Sequence, residues 1–219
     1  MESLIKNSKI VTSLENKKVF AVIRAKSLSK ALDISNALID GGIKVIELCM
    51  NCDYDAAEAI KVLSGTSGIT VAAGSVVTAE QANRALDAGA TFIASPVLEN
   101  RIIKQCKWRK VPVIMGASTP TEIYNAWKLG VDIIKVYPAE PLGGPLYIRN
   151  ILTPMPFLRL MPTGGVNIDN FIEYLEAGAA AVGLGHTFYG EESDLKVITK
   201  KAEIVAKQLD EYLKNQNKA

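Results

Sequence analysis

The chain has 219 residues, 48 % hydrophobic and 22 % charged, and 25 basic against 23 acidic side chains leave a formal charge of +2. That balance excludes a disordered chain, and no basic stripe lies beside stacking aromatics, so no nucleic-acid partner is expected. No run of 18 apolar residues and no signal peptide is found, which predicts a cytoplasmic protein without a membrane partner.

In chain order, a polar amphipathic segment over residues 3–15 predicts a helix that covers one end of the fold. Apolar runs of strand length then alternate eight times with helix-period segments. The strands are predicted at 19–24, 44–48, 69–73, 91–94, 112–115, 131–135, 158–161 and 180–184. The helices between them are predicted at 29–40, 55–63, 79–88, 99–106, 120–129, 145–152 and 168–177, with a long terminal helix at 193–214. Glycine follows several helices (Gly41, Gly89, Gly130, Gly178) and reads as a C-cap, because it enters the left-handed conformation at little cost. Short apolar strands alternating with helices imply a parallel sheet covered on both faces. Eight such units in 219 residues predict an α/β fold of one domain, 1–219: a (β/α)8 (TIM) barrel with an extra N-terminal helix.

In that architecture the C-terminal ends of the strands face the active site. Those ends carry Arg24, Glu47, Ser75, Pro96, Gly116 with Ser118, Lys135, Thr163-Gly164-Gly165 and Gly183-Leu184-Gly185. Lys135 closes the apolar run Val131-Asp132-Ile133-Ile134-Lys135 before Val136-Tyr137-Pro138. Burial of a lysine disfavours the ammonium and favours the neutral amine that imine chemistry needs. Glu47 interrupts Val45-Ile46-Glu47-Leu48, where an unpaired buried carboxylate would cost several kcal/mol. An acid and an amine at one barrel mouth serve equally as a structural ion pair and as an imine-forming couple. Arg24 has a bland reading as a partner of a surface carboxylate, and Ser118 or Thr119 as a helix cap.

Glycines after strands seven and eight allow backbone N–H groups to approach an anion, with a short helix from about His186 adding its N-terminus. His186 is the only histidine. Three cysteines, an odd number, argue against a disulfide framework. Cys49 and Cys52 form a C-x-x-C, and a zinc set of Cys49, Cys52, Cys106 and His186 is conceivable. No second C-x-x-C or H-x-x-H accompanies them, so structural cysteines are preferred and no metal or cofactor is expected.

Several of these segments resemble the class I aldolases that cleave 2-keto-3-deoxy-6-phosphogluconate (KDPG), and the likeness runs through nearly the whole chain. Val45-Ile46-Glu47-Leu48 resembles the family's base-bearing strand and Ala73-Gly74-Ser75-Val76 its Gly-Thr-Val turn. Ala94-Ser95-Pro96 resembles its Ser-Pro turn, and Gly116-Ala117-Ser118-Thr119 its fifth loop. Lys135-Val136-Tyr137-Pro138-Ala139-Glu140 is similar to the Schiff-base strand, and Pro162-Thr163-Gly164-Gly165 to the phosphate loop. The resemblance implies that Lys135 forms the imine and that Glu47 acts as general base. It further implies that Thr163, Ser118, Ser75, Arg24 and Pro96 surround the pyruvyl part. Gly164, Gly165, Gly183, Gly185 and His186 would surround the phosphate of a phosphorylated keto acid, in a homotrimer. Asn51 stands where the gluconate enzymes carry arginine. Asn51 with Arg24, and Gly183-Leu184-Gly185, resemble the galactonate branch instead, which leaves the C4 epimer open. Another phosphate-binding barrel isomerase or synthase, and a catalytically silent phosphometabolite-binding barrel, are the competing readings.

Overall fold

The computed structural model describes residues 9–190 and 194–216. Helix α1 (Lys9–Lys17) precedes eight alternating units: β1 (Val19–Ile23) with α2 (Leu28–Asp40), β2 (Val45–Cys49) with α3 (Ala56–Leu63), β3 (Thr70–Gly74) with α4 (Ala79–Asp87), and β4 (Ile93–Ala94) with α5 (Asn100–Arg109). There follow β5 (Val113–Ala117) with α6 (Pro120–Lys128), β6 (Ile133–Val136) with α7 (Gly144–Leu152), β7 (Leu160–Pro162) with α8 (Phe171–Glu176), and β8 (Val182–Leu184). The short α9 (His186–Tyr189) and the long α10 (Leu195–Gln216) complete the chain. Residues 1–8, part of the predicted N-terminal helix, lie outside the described residues, as does Ser193 at the predicted start of the last helix.

The strands form one eight-stranded sheet in the order β7-β6-β5-β4-β3-β2-β1-β8, and every pairing is parallel. A parallel pair requires a crossover, and helices α2 to α8 each supply one. The ring closes between β7 and β8 through a single bridge, Thr163 to Gly183, and the Ala180 N–H donates to the Leu160 carbonyl at 2.9 Å. The expected barrel is therefore present, nearly closed.

Two apolar cores follow from the period-2 alternation of the strands. One face of each strand packs outward on the helices, as Ile46, Leu48, Ile134 and Val136 do. The other face fills the lumen with Phe20, Val45, Ala72, Phe92, Ile114, Ile133, Met161 and Ala181, and α1 adds Val11 and Leu14 to this cluster. Helix α1 thus plugs the bottom of the barrel, as its amphipathic pattern predicts. Helix α2 shows the complementary outer logic, burying Ala31, Ile34, Ser35 and Leu38 at helical spacing.

Side chains set the helix starts. Thr78 with Gln81 and Thr119 with Glu122 form capping boxes at α4 and α6, devices worth about 1 kcal/mol each. Helix α8 begins three residues later than predicted because Asn167 and Asn170 bind each other's backbone. Asn167 Oδ1 accepts from the Asp169 and Asn170 N–H groups, and Asn170 Oδ1 accepts from the Asn167 N–H. Asparagine holds the chain in a turn there and delays the helix. One predicted cap is corrected. Gly89, Gly130 and Gly178 adopt positive φ, but after α2 the left-handed residue is Gly42, at φ +97°, not Gly41. Gly41 is instead required by packing: a Cβ there would lie 2.6 Å from the Thr199 carbonyl oxygen on α10.

Candidate active site

Lys135 lies on β6 and points into the lumen, because Ile133 two residues earlier belongs to the lumen cluster while Ile134 and Val136 pack outward. The same alternation on β2 turns Val45, Glu47 and Cys49 inward. The ring of strands brings these two positions, 88 residues apart in sequence, to a Lys135 Nζ to Glu47 Oε1 distance of 3.2 Å. Glu47 is fully buried and Lys135 is 5 % exposed.

The pair leaves polar capacity unused. Glu47 Oε2 and Thr163 Oγ1 are buried without a hydrogen-bond partner. Each such group costs about 1–3 kcal/mol if nothing binds it. An amine, a free carboxylate oxygen and a free hydroxyl in one lumen form a polar set that a small oxygenated molecule satisfies.

Room for this set comes from glycines above the packed layer. A Cβ on Gly74, the register partner of Cys49, would fall 2.6 Å from Glu47 Cγ and closer still to Oε1. A Cβ on Gly183 would meet the Thr163 hydroxyl. The lower lumen layer is filled by Phe20, Ile114 and Ile133, so the cavity opens only toward the C-terminal ends of the strands.

The rim holds the other predicted residues. The Arg24 guanidinium donates to Ser75 Oγ at 3.2 Å, and Ser75 takes a left-handed φ of +54°. The Arg24 N–H donates to the Tyr189 hydroxyl at 3.0 Å, and that hydroxyl donates to the Val22 carbonyl at 3.1 Å. Arg24 has no surface carboxylate partner among the described residues. The Ser118 hydroxyl donates to the Tyr137 carbonyl at 2.7 Å and so ties the β5 loop to the β6 loop, while Thr119 performs the capping. Beside Pro96, its carbonyl packs where a Cβ on Gly116 would stand.

A cleft of about 420 Å³ joins Thr163, Gly164, Gly165, Gly183, Gly185 and His186. Gly164 and Gly165 have φ of +88° and +83°, conformations that need glycine. Glu140 packs against Gly165, where a Cβ would come 2.8 Å from its Cδ. His186 is exposed and opens α9. Asn51 is exposed on the β2–α3 loop.

A model of the family described as "Aldolase: KDPG and KHG aldolase" matches residues 10–202 of this chain. The chain belongs to the KDPG and KHG aldolase family. A 2-dehydro-3-deoxy-phosphogluconate aldolase from Treponema pallidum is 35 % identical over 167 residues, covering 76 % of this chain and 79 % of the relative. A structure described as native KDPGal superposes with a TM-score of 0.82 at 25 % identity, over 90 % of this chain and 96 % of that one. The KDPG aldolase of Legionella pneumophila, solved with pyruvate captured as a covalent carbinolamine, gives a TM-score of 0.82 at 29 % identity. It is covered over 98 % of its length by 90 % of this chain.

Against this KDPG and KHG aldolase frame, three residues missed by sequence reasoning stand out. Cys49 lines the lumen two residues after Glu47, a position that strand alternation alone would have revealed. Burial pushes its thiol pKa up, and the nearby Glu47 charge adds to that. Tyr189 braces Arg24, and Gly74 clears space for Glu47; neither has a local sequence signal. Cys106 is also buried, its thiol pushed up to about 12 by desolvation. Among the described residues, no group of three or more His, Cys, Asp or Glu side chains is placed to hold a metal ion. No helix there is long and apolar enough to cross a membrane. Trp108 is 75 % exposed, while Phe188 and Tyr189 are buried. They sit inside because α9 folds back over the end of β1.

Proposed function

We propose that this chain is a class I aldolase that cleaves a 2-keto-3-deoxy-6-phospho sugar acid to pyruvate and D-glyceraldehyde 3-phosphate. The observation that carries the reading is the buried Lys135–Glu47 contact of 3.2 Å with Glu47 Oε2 left unpartnered. The Lys135 amine attacks the C2 carbonyl, the carbinolamine loses water, and the protonated imine becomes an electron sink. Glu47 takes the proton of the C4 hydroxyl, directly or through a water. The C3–C4 bond then breaks, its electrons passing into the imine, and glyceraldehyde 3-phosphate leaves. Glu47 returns a proton to C3 of the enamine, and hydrolysis frees pyruvate and the lysine. The imine does the polarising, so the sequence of steps balances without a cofactor.

In this reading Thr163, Ser118, Ser75, Arg24 and Pro96 surround the pyruvyl portion. Gly164, Gly165, Gly183, Gly185 and His186 surround the phosphate, with glycine N–H groups as donors. A cytoplasmic homotrimer is part of the proposal, supported by the family resemblance. The deciding experiment is borohydride reduction after incubation with pyruvate, followed by peptide mass spectrometry. A reduced pyruvyl adduct on Lys135 is expected; its absence in folded protein would overturn the imine mechanism in favour of an isomerase or a binding barrel.

A further inference from the structure

The barrel mouth has a second cleft, and the proposed chemistry uses Arg24, Gly185 and His186 of its lining but neither of its lysines. It measures about 500 Å³ and lies between the end of β1, the first turn of α2 and the β8–α9 turn. Its inner wall includes Cys49, whose thiol feels the charges of Glu47 and Lys135. Farther out it is lined by Arg24, Lys26, Lys30 and His186, and among the described residues no carboxylate lines it. Among the described residues none of Arg24, Lys26 and Lys30 has a carboxylate partner. Lys30 is the third residue of α2, a helix with no acidic residue in its first turn. The helix dipole repels a cation there and favours an anion. A local rule broken inside a cleft is a mark of function rather than of folding. The glycine cleft on the other side of His186, by contrast, includes Glu140.

We propose that the basic cleft is a second anion subsite that takes a phosphate monoester dianion, separate from the β7–β8 glycine loops. The proposal rests on the aldolase reading above. Arg24 belongs to the cleft and also reaches Ser75 at 3.2 Å, so an anion bound there competes with the keto acid for one guanidinium. The dianion has two sources, free phosphate or the substrate's own phosphoryl end, which would then lie here in place of the glycine loops. Lys26 and Lys30 determine affinity in both cases.

The test compares the wild-type full chain with K26Q/K30Q, and with K44Q/K61Q as a charge-matched control. Lys44 precedes β2 and Lys61 stands in the last turn of α3, both at the opposite end of the barrel. Borohydride trapping of pyruvate without phosphate comes first. Failure of the wild type at this step overturns the aldolase reading before the subsite is tested. Inorganic phosphate is then titrated into the trapping reaction. If free phosphate is the occupant, it slows wild-type trapping, and the concentration needed rises at least tenfold in K26Q/K30Q alone. If the substrate's phosphoryl group is the occupant, KM rises at least tenfold in that variant for the phosphorylated keto acid and not for its dephosphorylated form. No change in either assay, or equal changes in K44Q/K61Q, overturns the subsite.

Discussion

Gly74 occupies a position on β3 from which a side chain would strike the Glu47 carboxyl group. A Cβ there would stand 2.6 Å from Glu47 Cγ, with Oε1 nearer still. Glu47 is fully buried, so the displaced carboxylate has little free volume to enter. The glycine therefore holds the acid at its distance from Lys135, although it has no side chain of its own.

Gly74→Ala is expected to lower the cleavage rate at least tenfold, about 1.4 kcal/mol in barrier, while pyruvate still forms its adduct on Lys135. Single-turnover cleavage beside borohydride trapping checks the split. When Glu47→Asp is added to Gly74→Ala, it should cost less than it does in the wild type, because the shorter acid fits beneath the new methyl.

The Lys135–Glu47 pair predicts a stability asymmetry. Lys135→Met leaves a fully buried carboxylate without its cation, and should destabilise the fold by about 3 kcal/mol. Adding Glu47→Gln removes the charge and should recover at least half of that loss. Urea midpoints of the two single variants and the double variant measure the coupling. If the double variant is as unstable as the sum of the singles, the two residues do not act as a pair.

Alkaline stability should depend on Cys106. Its thiol, on the buried face of α5, rises from an ordinary 9.0 to about 12 on burial in the core. Between those values the unfolded chain has lost the proton and the folded chain has kept it, so stability falls as pH rises. The contribution is intact below pH 9 and lost progressively toward pH 12, roughly 4 kcal/mol in all. Cys106→Ala should flatten the stability profile between about pH 9 and 10.5 relative to wild type, whatever constant cost its smaller side chain adds. Parallel profiles would show that the thiol titrates alike in the folded and the unfolded chain.

Much of the barrel was legible along the chain. Apolar runs marked β1, β2 and β3 to within a residue, since a strand covered on both sides needs an almost unbroken apolar run. Glu47 and Lys135 were visible as charges that interrupt such runs. Cys49 was available from the same alternation, though its C-x-x-C spacing drew attention to metal chemistry instead. The burial of Phe188 and Tyr189 had no comparable mark, because a four-residue helix has too little periodicity to show which face is covered. The swap of Gly41 and Gly42 was invisible for another reason. Either glycine suits the end of α2, and only the approach of α10 selects between them.

The sequence by itself determined the order of the elements, the inward face of each strand and the charged residues at the strand ends. Those depend on period and residue type, which are local. Only the tertiary structure decided that Glu47 meets Lys135 at 3.2 Å, that Gly74 and Gly183 clear the space beside Glu47 and Thr163, and that two lysines of the first βα unit share a cleft with His186 of the last. These facts depend on strand register and on closure of the ring, which bring residues far apart in the chain to one mouth, and no local pattern encodes them.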